Sequence, residues 1–425
     1  MTRTEPNAAR RESSFQPWMV ANFAVGAGFS AFISLLIPPY VTQVSGGEAS
    51  AAGVVMGIIS LGAILGPVLG TWADRYRAHR LVMSGGVLGM ALGFALFAGA
   101  SKTQELFALD AIFLGVSLAA VSAVGPTFII GARLSQQLEA RRMTTYSLAM
   151  PVGQVVGGLA LGAANRAGWE FTSMFWLAAV VLFGAFLVTW FTSAGPARRI
   201  AEVLDEAGGG GAGDTARSQP SSVSLRAVLF SAFGLFLAIS VFTSIANNGI
   251  NSQIANILPN VYGISAEGVS ALVALAGLLN IVLFIPAGRM MARRGAYDVY
   301  RLGVILRLGG ALGMAVVGAV ANSAELIAVA FMQLLYQGSP FARLAQPGTA
   351  MRFATFSAGI ANGWLIAASA VGSLIGSLGG GFLADKFGFN SVNWFGAGAA
   401  AVSVLLLIVW LTPINRAQRE AAPAS

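Results

Sequence analysis

Twelve stretches of about 20 mostly apolar residues, parted by short clusters of charged and turn residues, run through the 425-residue chain and constrain its fold more than any other feature. A soluble core seldom needs an unbroken apolar run beyond about 18 residues, whereas that length crosses the hydrocarbon of a bilayer as an α-helix. The first six runs are 18–40, 51–72, 81–100, 106–130, 144–165 and 174–193. The second six are 227–250, 265–288, 299–321, 325–342, 353–382 and 392–412. They are continuous and do not alternate over ten-residue segments, which predicts helices and not the strands of an outer-membrane barrel. The composition agrees, with 10% charged residues where a soluble chain carries about a quarter. The expected fold is an all-α polytopic membrane protein with twelve transmembrane helices, numbered here as spans 1 to 12.

The chain has no Cys and one His, His79. Disulfides, thiolate metal sites and thiol nucleophiles are thereby removed together, and a zinc site has little to draw on. No metal, cofactor or catalytic constellation is expected, so the chain does not read as an enzyme. The net charge of +8 admits either a nucleic-acid partner or basic loops on one face of a bilayer. A count decides between them, because 21 of the 25 basic residues fall in alternate connections and the termini: residues 3–11, 75–80, 133–142, 198–226, 289–301, 343–352 and 416–419. Lys102, Arg166 and Lys386 fall on the other side, and Arg307 lies within span 9. By the positive-inside bias both termini are expected in the cytoplasm. The basic surplus then needs no nucleic acid and is explained by the lipid bilayer. The polar segment 1–17 carries acids as well as Arg, and is expected to be retained and not cleaved as a signal.

The sequence is duplicated. Ala132, Arg133 and Leu134 recur as Ala342, Arg343 and Leu344, and Arg142, Thr145 and Ser147 recur as Arg352, Thr355 and Ser357, all at an offset of 210. LLIPPYVTQVSGGEASAAG after span 1 runs parallel to NILPNVYGISAEGVSALVA after span 7. Six spans per copy means that both copies enter the membrane from the same side, the arrangement of parallel transporter repeats. The expected organisation is a six-helix bundle over 1–193, a cytoplasmic linker over 194–226 and a second bundle over 227–425. The Gly run and mixed charges of the linker predict flexibility, with a short amphipathic helix over 200–206 as the alternative to a solvated charge run.

GTWADRYRAHR, between spans 2 and 3, carries Gly70, Asp74, Arg75 and Arg80. This segment, echoed by GRMMARRG after span 8, resembles the signature loop of the major facilitator superfamily, and the resemblance covers nearly the whole chain. The second Gly of that signature is Arg77 here, and Ala78 stands where a basic residue is usual. The resemblance implies that Gly70, Asp74, Arg75 and Arg80, with Arg133 at the end of span 4, latch the two halves on the cytoplasmic side. GFLADKFGF at 381–389 imitates the same signature but falls at the opposite end of the bundle, where it is expected to be a look-alike. Span 4 has Gly115 but Ala111 where proton-coupled antiporters carry Arg, and MPVGQVVGG in span 5 only suggests the drug-antiporter signature.

The family architecture implies that spans 1, 4, 7 and 10 line a central cavity, and residue spacing agrees. Asn22, Gly26, Ser30 and Ser34 recur every four residues along span 1, and Ser240, Ser244, Asn247 and Asn251 along span 7, with Asn248 beside them. Gln333, Tyr336 and Gln337 share a face of span 10; Gln154, Asn280, Asn362 and Trp364 extend the set to spans 5, 8 and 11. Amides are costly toward lipid and inexpensive toward a wet cavity. Asn22, Ser30, Gln154, Ser244, Asn247, Asn248, Asn251, Asn280, Gln333, Tyr336, Gln337, Asn362 and Trp364 are therefore expected to bind substrate, although Ser and Gly stripes equally serve helix packing. Asp110, within span 4, is expected to carry a coupling proton, the alternative being that it reaches the outer headgroups. Arg307 is expected to snorkel to the inner headgroups.

Together these features predict a secondary transporter of a small organic solute working by alternating access, with proton-linked efflux of an amphipathic or weakly charged compound favoured. A highly charged solute would meet buried countercharges, and none is evident in the sequence. The alternatives are an importer or facilitator of a neutral metabolite such as a sugar, and a non-transporting membrane receptor on the same fold. The expected setting is a bacterial cytoplasmic (inner) membrane, with the protein as a monomer.

Overall fold

A computed structural model describes residues 13–99, 104–130, 132, 134, 136–209, 230–320, 325–354 and 358–421, and among them there is helix and no strand. Among the described residues ten helices are long and apolar enough to cross a membrane. In the first half these are Pro17–Val44, His79–Gly99, Leu106–Ile129, Arg141–Arg166 and Phe171–Thr192, for spans 1, 3, 4, 5 and 6. In the second they are Ala232–Asn251, Ala266–Arg294, Ala296–Val320, Trp364–Phe387 and Asn390–Gln418, for spans 7, 8, 9, 11 and 12. The place of span 2 is taken by a shorter apolar helix with a continuation beyond it, and that of span 10 by a long helix that is less apolar. One runs through Ala49–Leu61, a 3-10 turn at Gly62–Leu65 and Gly66–Tyr76; the other is Glu325–Phe353. Ten of the expected twelve spans are met by length and composition among the described residues, and the other two rest on these rods.

Local chemistry sets the ends. After span 7, the short helix Ile254–Tyr262 stops at Gly263, whose φ of 73° is the left-handed conformation that a glycine adopts without strain. Two residues on, the Ser265 hydroxyl accepts the Gly268 N–H at 3.2 Å and starts span 8. Span 10 continues to Phe353 and not to 342, because Arg343 did not end the helix; the charge has an aqueous space to face. The beginning of the linker is ordered as a helix, Ala194–Gly209, longer than the expected 200–206, and its Ile200 is buried against the first half.

The halves meet through spans 5 and 8 and through spans 2 and 11. At the second seam a Cβ on Gly53 would stand 2.5 Å from the Ser377 carbonyl oxygen, and one on Gly381 2.7 Å from that of Ala49. Only glycine allows this backbone approach. The hydrophobic core of the first half continues across the junction into Ile250, Ile254, Ile257 and Leu258, all fully buried. A separate core fills the second half toward its Arg-rich loops, around Phe236, Tyr297, Tyr300 and Phe353.

Candidate functional site

Between the halves lies a cavity of about 290 Å³, near the lower end of the range for small-molecule sites. Span 1 reaches it as a π-helix over Gly26–Ile33, a form enriched at functional sites. The wider turn brings Phe29 to the wall beside Ser30 and Ser34, while Gly26 turns against the Met150 backbone of span 5. Asn22 also lines the space and donates to the Tyr146 carbonyl at 2.6 Å. A second hollow of about 310 Å³ shares Phe29, Asn248 and Arg343 with the first and carries the space past Gln346 and Pro347 toward the Arg-rich end.

Of the residues expected to bind substrate, Asn22, Ser30, Gln154, Asn247, Asn248, Asn251, Asn280 and Tyr336 line the cavity. Gln154 also spans the halves, donating to the Val273 carbonyl at 3.1 Å, and Asn248 donates to the Ser373 hydroxyl at 2.7 Å. The Oδ1 atoms of Asn251 and Asn280 are buried and unpartnered. Ser244 packs against span 11 at Gly372 and does not line the cavity. Gln333 donates to the Leu272 carbonyl at 3.0 Å, joining span 10 to span 8, and Gln337 donates to the Gln333 Oε1 at 3.4 Å; neither lines the cavity. Trp364 packs against the core of the second half, and the Asn362 side chain lies outside the described residues. Asp110 is 7% exposed, with Oδ2 unpartnered, and lies away from the cavity.

Sequence reasoning missed Met56, Ser147, Met150, Phe284, Ser339 and Arg343. Apolar residues carry no signal of their own within an apolar span, and Arg343 was assigned to a loop. Arg307 does not snorkel to headgroups. It is 8% exposed, crosses to span 10 and donates from Nη2 to the Ser339 hydroxyl at 3.1 Å. The expectation of a cavity without charged groups is thus corrected: Arg343 lines it, and Arg307 stands behind Ser339.

Polar contacts close the end opposite the Arg-rich loops. The Asp385 carboxylate accepts the Ala49 N–H at 2.6 Å and the Ser50 N–H at 2.8 Å. Gln253 donates to the Ala49 carbonyl at 2.9 Å, Asn256 to the Thr42 hydroxyl at 3.2 Å, and Arg166 pairs with Glu267. The segment 381–389, expected to be a mere look-alike, therefore ties the second half to the first.

The sequence matches the family described as Major Facilitator Superfamily over residues 18–340 and again over 228–425. The chain belongs to the major facilitator superfamily. The second match falls on the second half alone, in keeping with duplication. The multidrug resistance protein MdtG of Yersinia enterocolitica (serotype O:8 / biotype 1B) is 27% identical over 198 residues, 45% of this chain and 46% of that protein, so the chain spans about half the length of the curated relative it matches. Among solved structures, the xylose transporter XylE from E. coli, in a partially occluded inward-open conformation, aligns with a TM-score of 0.69 at 13% identity, covering 93% of this chain and 98% of that one. The nucleoside transporter NupG gives 0.67 at 11%, covering 92% of this chain and 98% of its own. At such identities the likeness is one of fold.

In this superfamily member the described contacts of Arg75 and Arg80 in the signature loop are with the first half. A Cβ on Gly70 would meet nothing within 4 Å. Arg80 donates from Nε and Nη2 to the Trp190 carbonyl at 3.2 and 3.0 Å and lies 4.1 Å over the Trp190 ring, and Arg75 lies 5.6 Å over Tyr76, so both serve the first half. The Asp74 side chain and all of Arg133 lie outside the described residues. Arg77, where the family signature has Gly, takes a φ of 54°, the left-handed region that glycine favours.

Proposed function

We propose that the protein is a secondary transporter that moves a small organic solute by alternating access, as a proton-linked exporter of an amphipathic compound. One observation carries this reading: a single space between two repeats is bridged by polar contacts at one end and continues toward the other. With the Arg-rich loops in the cytoplasm, as the positive-inside bias supports, this is the state in which an exporter loads. Phe29, Met56, Met150 and Phe284 give the cavity apolar wall, and Asn247, Asn251 and Asn280 give it amides, a mixture suited to an amphiphile. The aligned relative named for multidrug resistance supports efflux over import. Asn22, Ser30, Gln154, Asn247, Asn248, Asn251, Asn280 and Tyr336 form the proposed binding surface. Residues 1–193 and 227–425 are the two moving bodies, both termini are cytoplasmic, and the monomer in a bacterial inner membrane is the working unit.

Asp110 is the carboxylate assigned to the coupling proton, since burial with one free oxygen makes protonation the natural way to neutralise it. The test is solute flux in proteoliposomes with and without a pH gradient. Gradient-dependent flux that is lost in Asp110→Asn supports coupling, and flux indifferent to both removes it. A receptor on the same fold predicts no flux at all.

A further inference from the structure

We propose that the second-half wall of the cavity is an anion subsite formed by Arg343, Arg307 and Ser339, and that the solute carries an acidic group, a carboxylate, sulfonate or phosphate monoester, docked there. This deepens the transporter reading and rests on it. Tyr336, Ser339 and Arg343 fall at helical spacing on one face of span 10, and all three line the cavity. The Arg343 guanidinium offers five N–H donors, but its one hydrogen-bond partner among the described residues is the Met150 thioether, to which Nη1 donates at 3.2 Å. Thioether sulfur is a weak acceptor, so the planar fork that suits a carboxylate or phosphate is left available.

Behind it, Arg307 comes in from span 9. A Cβ on Gly338 would stand 2.6 Å from Arg307 Cγ, so the glycine is what lets this side chain reach Ser339. Arg307 Nη2 holds the Ser339 oxygen at 3.1 Å, which turns the hydroxyl hydrogen outward as a donor, while Nε is buried and unpartnered. No carboxylate among the described residues pairs with either arginine. In the second half Glu267 pairs with Arg166, Asp298 lies 3.8 Å from Arg301, and Asp385 caps Ala49 and Ser50, all at the ends of the bundle. Two neighbouring cations beside one cavity, unpaired with any described carboxylate, are unfavourable until an anion joins them.

The test uses acids matched with neutral counterparts of the same skeleton: 1-naphthoate with 1-naphthamide, naphthalene-2-sulfonate with its sulfonamide, and phenyl phosphate with its dimethyl ester. Binding is read by thermal shift on the purified full-length protein, and transport by flux of the same compounds in proteoliposomes. At least one acid is expected to bind tenfold or more tightly than its neutral partner, with the preference abolished in Arg343→Gln, partly restored in Arg343→Lys and reduced in Arg307→Gln. Arg343 faces the cavity, so its variants fold even where Arg307→Gln does not. No acid preference in any pair, or a preference unchanged in Arg343→Gln, overturns the subsite; neutral members that still move leave the transporter reading standing. Acids that bind through Arg343 without any flux leave the subsite and remove the transporter. A lipid headgroup brings the same phosphate chemistry, so binding is repeated with added phosphatidylglycerol. A site that takes the lipid and ignores every soluble acid overturns the solute reading.

Discussion

Asp385, in the last turn of span 11, accepts the backbone N–H of Ala49 at 2.6 Å and, through its other oxygen, that of Ser50 at 2.8 Å. A carboxylate of one half thereby caps the first turn of span 2 in the other, where the helix dipole favours negative charge. On the proposed alternating-access cycle this bond breaks when this end opens. Losing such a cap is worth about 1 kcal/mol, roughly a fivefold shift between closed and open states. The chain lacks Cys, so Ser34→Cys supplies a unique probe in the cavity. In Asp385→Ala, labelling of this site by an impermeant maleimide from the face opposite the Arg-rich loops is expected to rise severalfold. Unchanged labelling would show that the cap does not bear on closure.

The Gly53–Gly381 seam predicts the same outcome by a steric route. In Gly53→Val the new side chain collides with the Ser377 carbonyl, and overpacking of this kind costs about 1–3 kcal/mol. The same probe is expected to become more accessible, whereas Gly398→Ala, with nothing within 4 Å of its Cβ position, leaves it as it was.

Arg77 separates backbone strain from side-chain chemistry. Replacement by Gly or by Val removes the guanidinium alike, but only Val is ill suited to a φ of 54°. Arg77→Val is expected to unfold at lower temperature than Arg77→Gly, by a difference of about 1–2 kcal/mol. Equal melting temperatures would show that the loop relaxes around either residue.

At Asn280 stability and function are opposed. Its buried Oδ1 has no protein partner among the described residues, so Asn280→Leu is expected to stabilise the protein without bound solute by roughly 1 kcal/mol. The same change removes an acceptor from the binding surface and is expected to lower flux about tenfold or more. Thermal unfolding and proteoliposome flux on one preparation read both signs.

The helical membrane fold was legible because bilayer thickness imposes a length that an apolar run either meets or does not. The cavity was legible where an amide interrupts such a run, as at Asn22, Asn247 and Asn280. It was misread where the same signal had a second cause. Gln333 fastens span 10 to span 8, and nothing in a one-dimensional pattern separates that from facing water. Arg343 was lost for the opposite reason, since a charge near a span boundary reads as loop until the helix is seen to continue to Phe353 beside an aqueous space. The role of Asp385 depends on the approach of Ala49, 336 residues away in sequence, which local pattern does not carry.

The apolar junction formed by Ile254, Ile257 and Leu258 has a thermal corollary. Opening that end to water hydrates these side chains, and hydrating apolar surface raises the heat capacity. The equilibrium between the two access states is then curved in temperature, with cooling weakening the force that keeps this end shut. On the proposed alternating-access cycle, the protein samples the state open at this end more often in the cold than a simple Arrhenius account of its turnover implies.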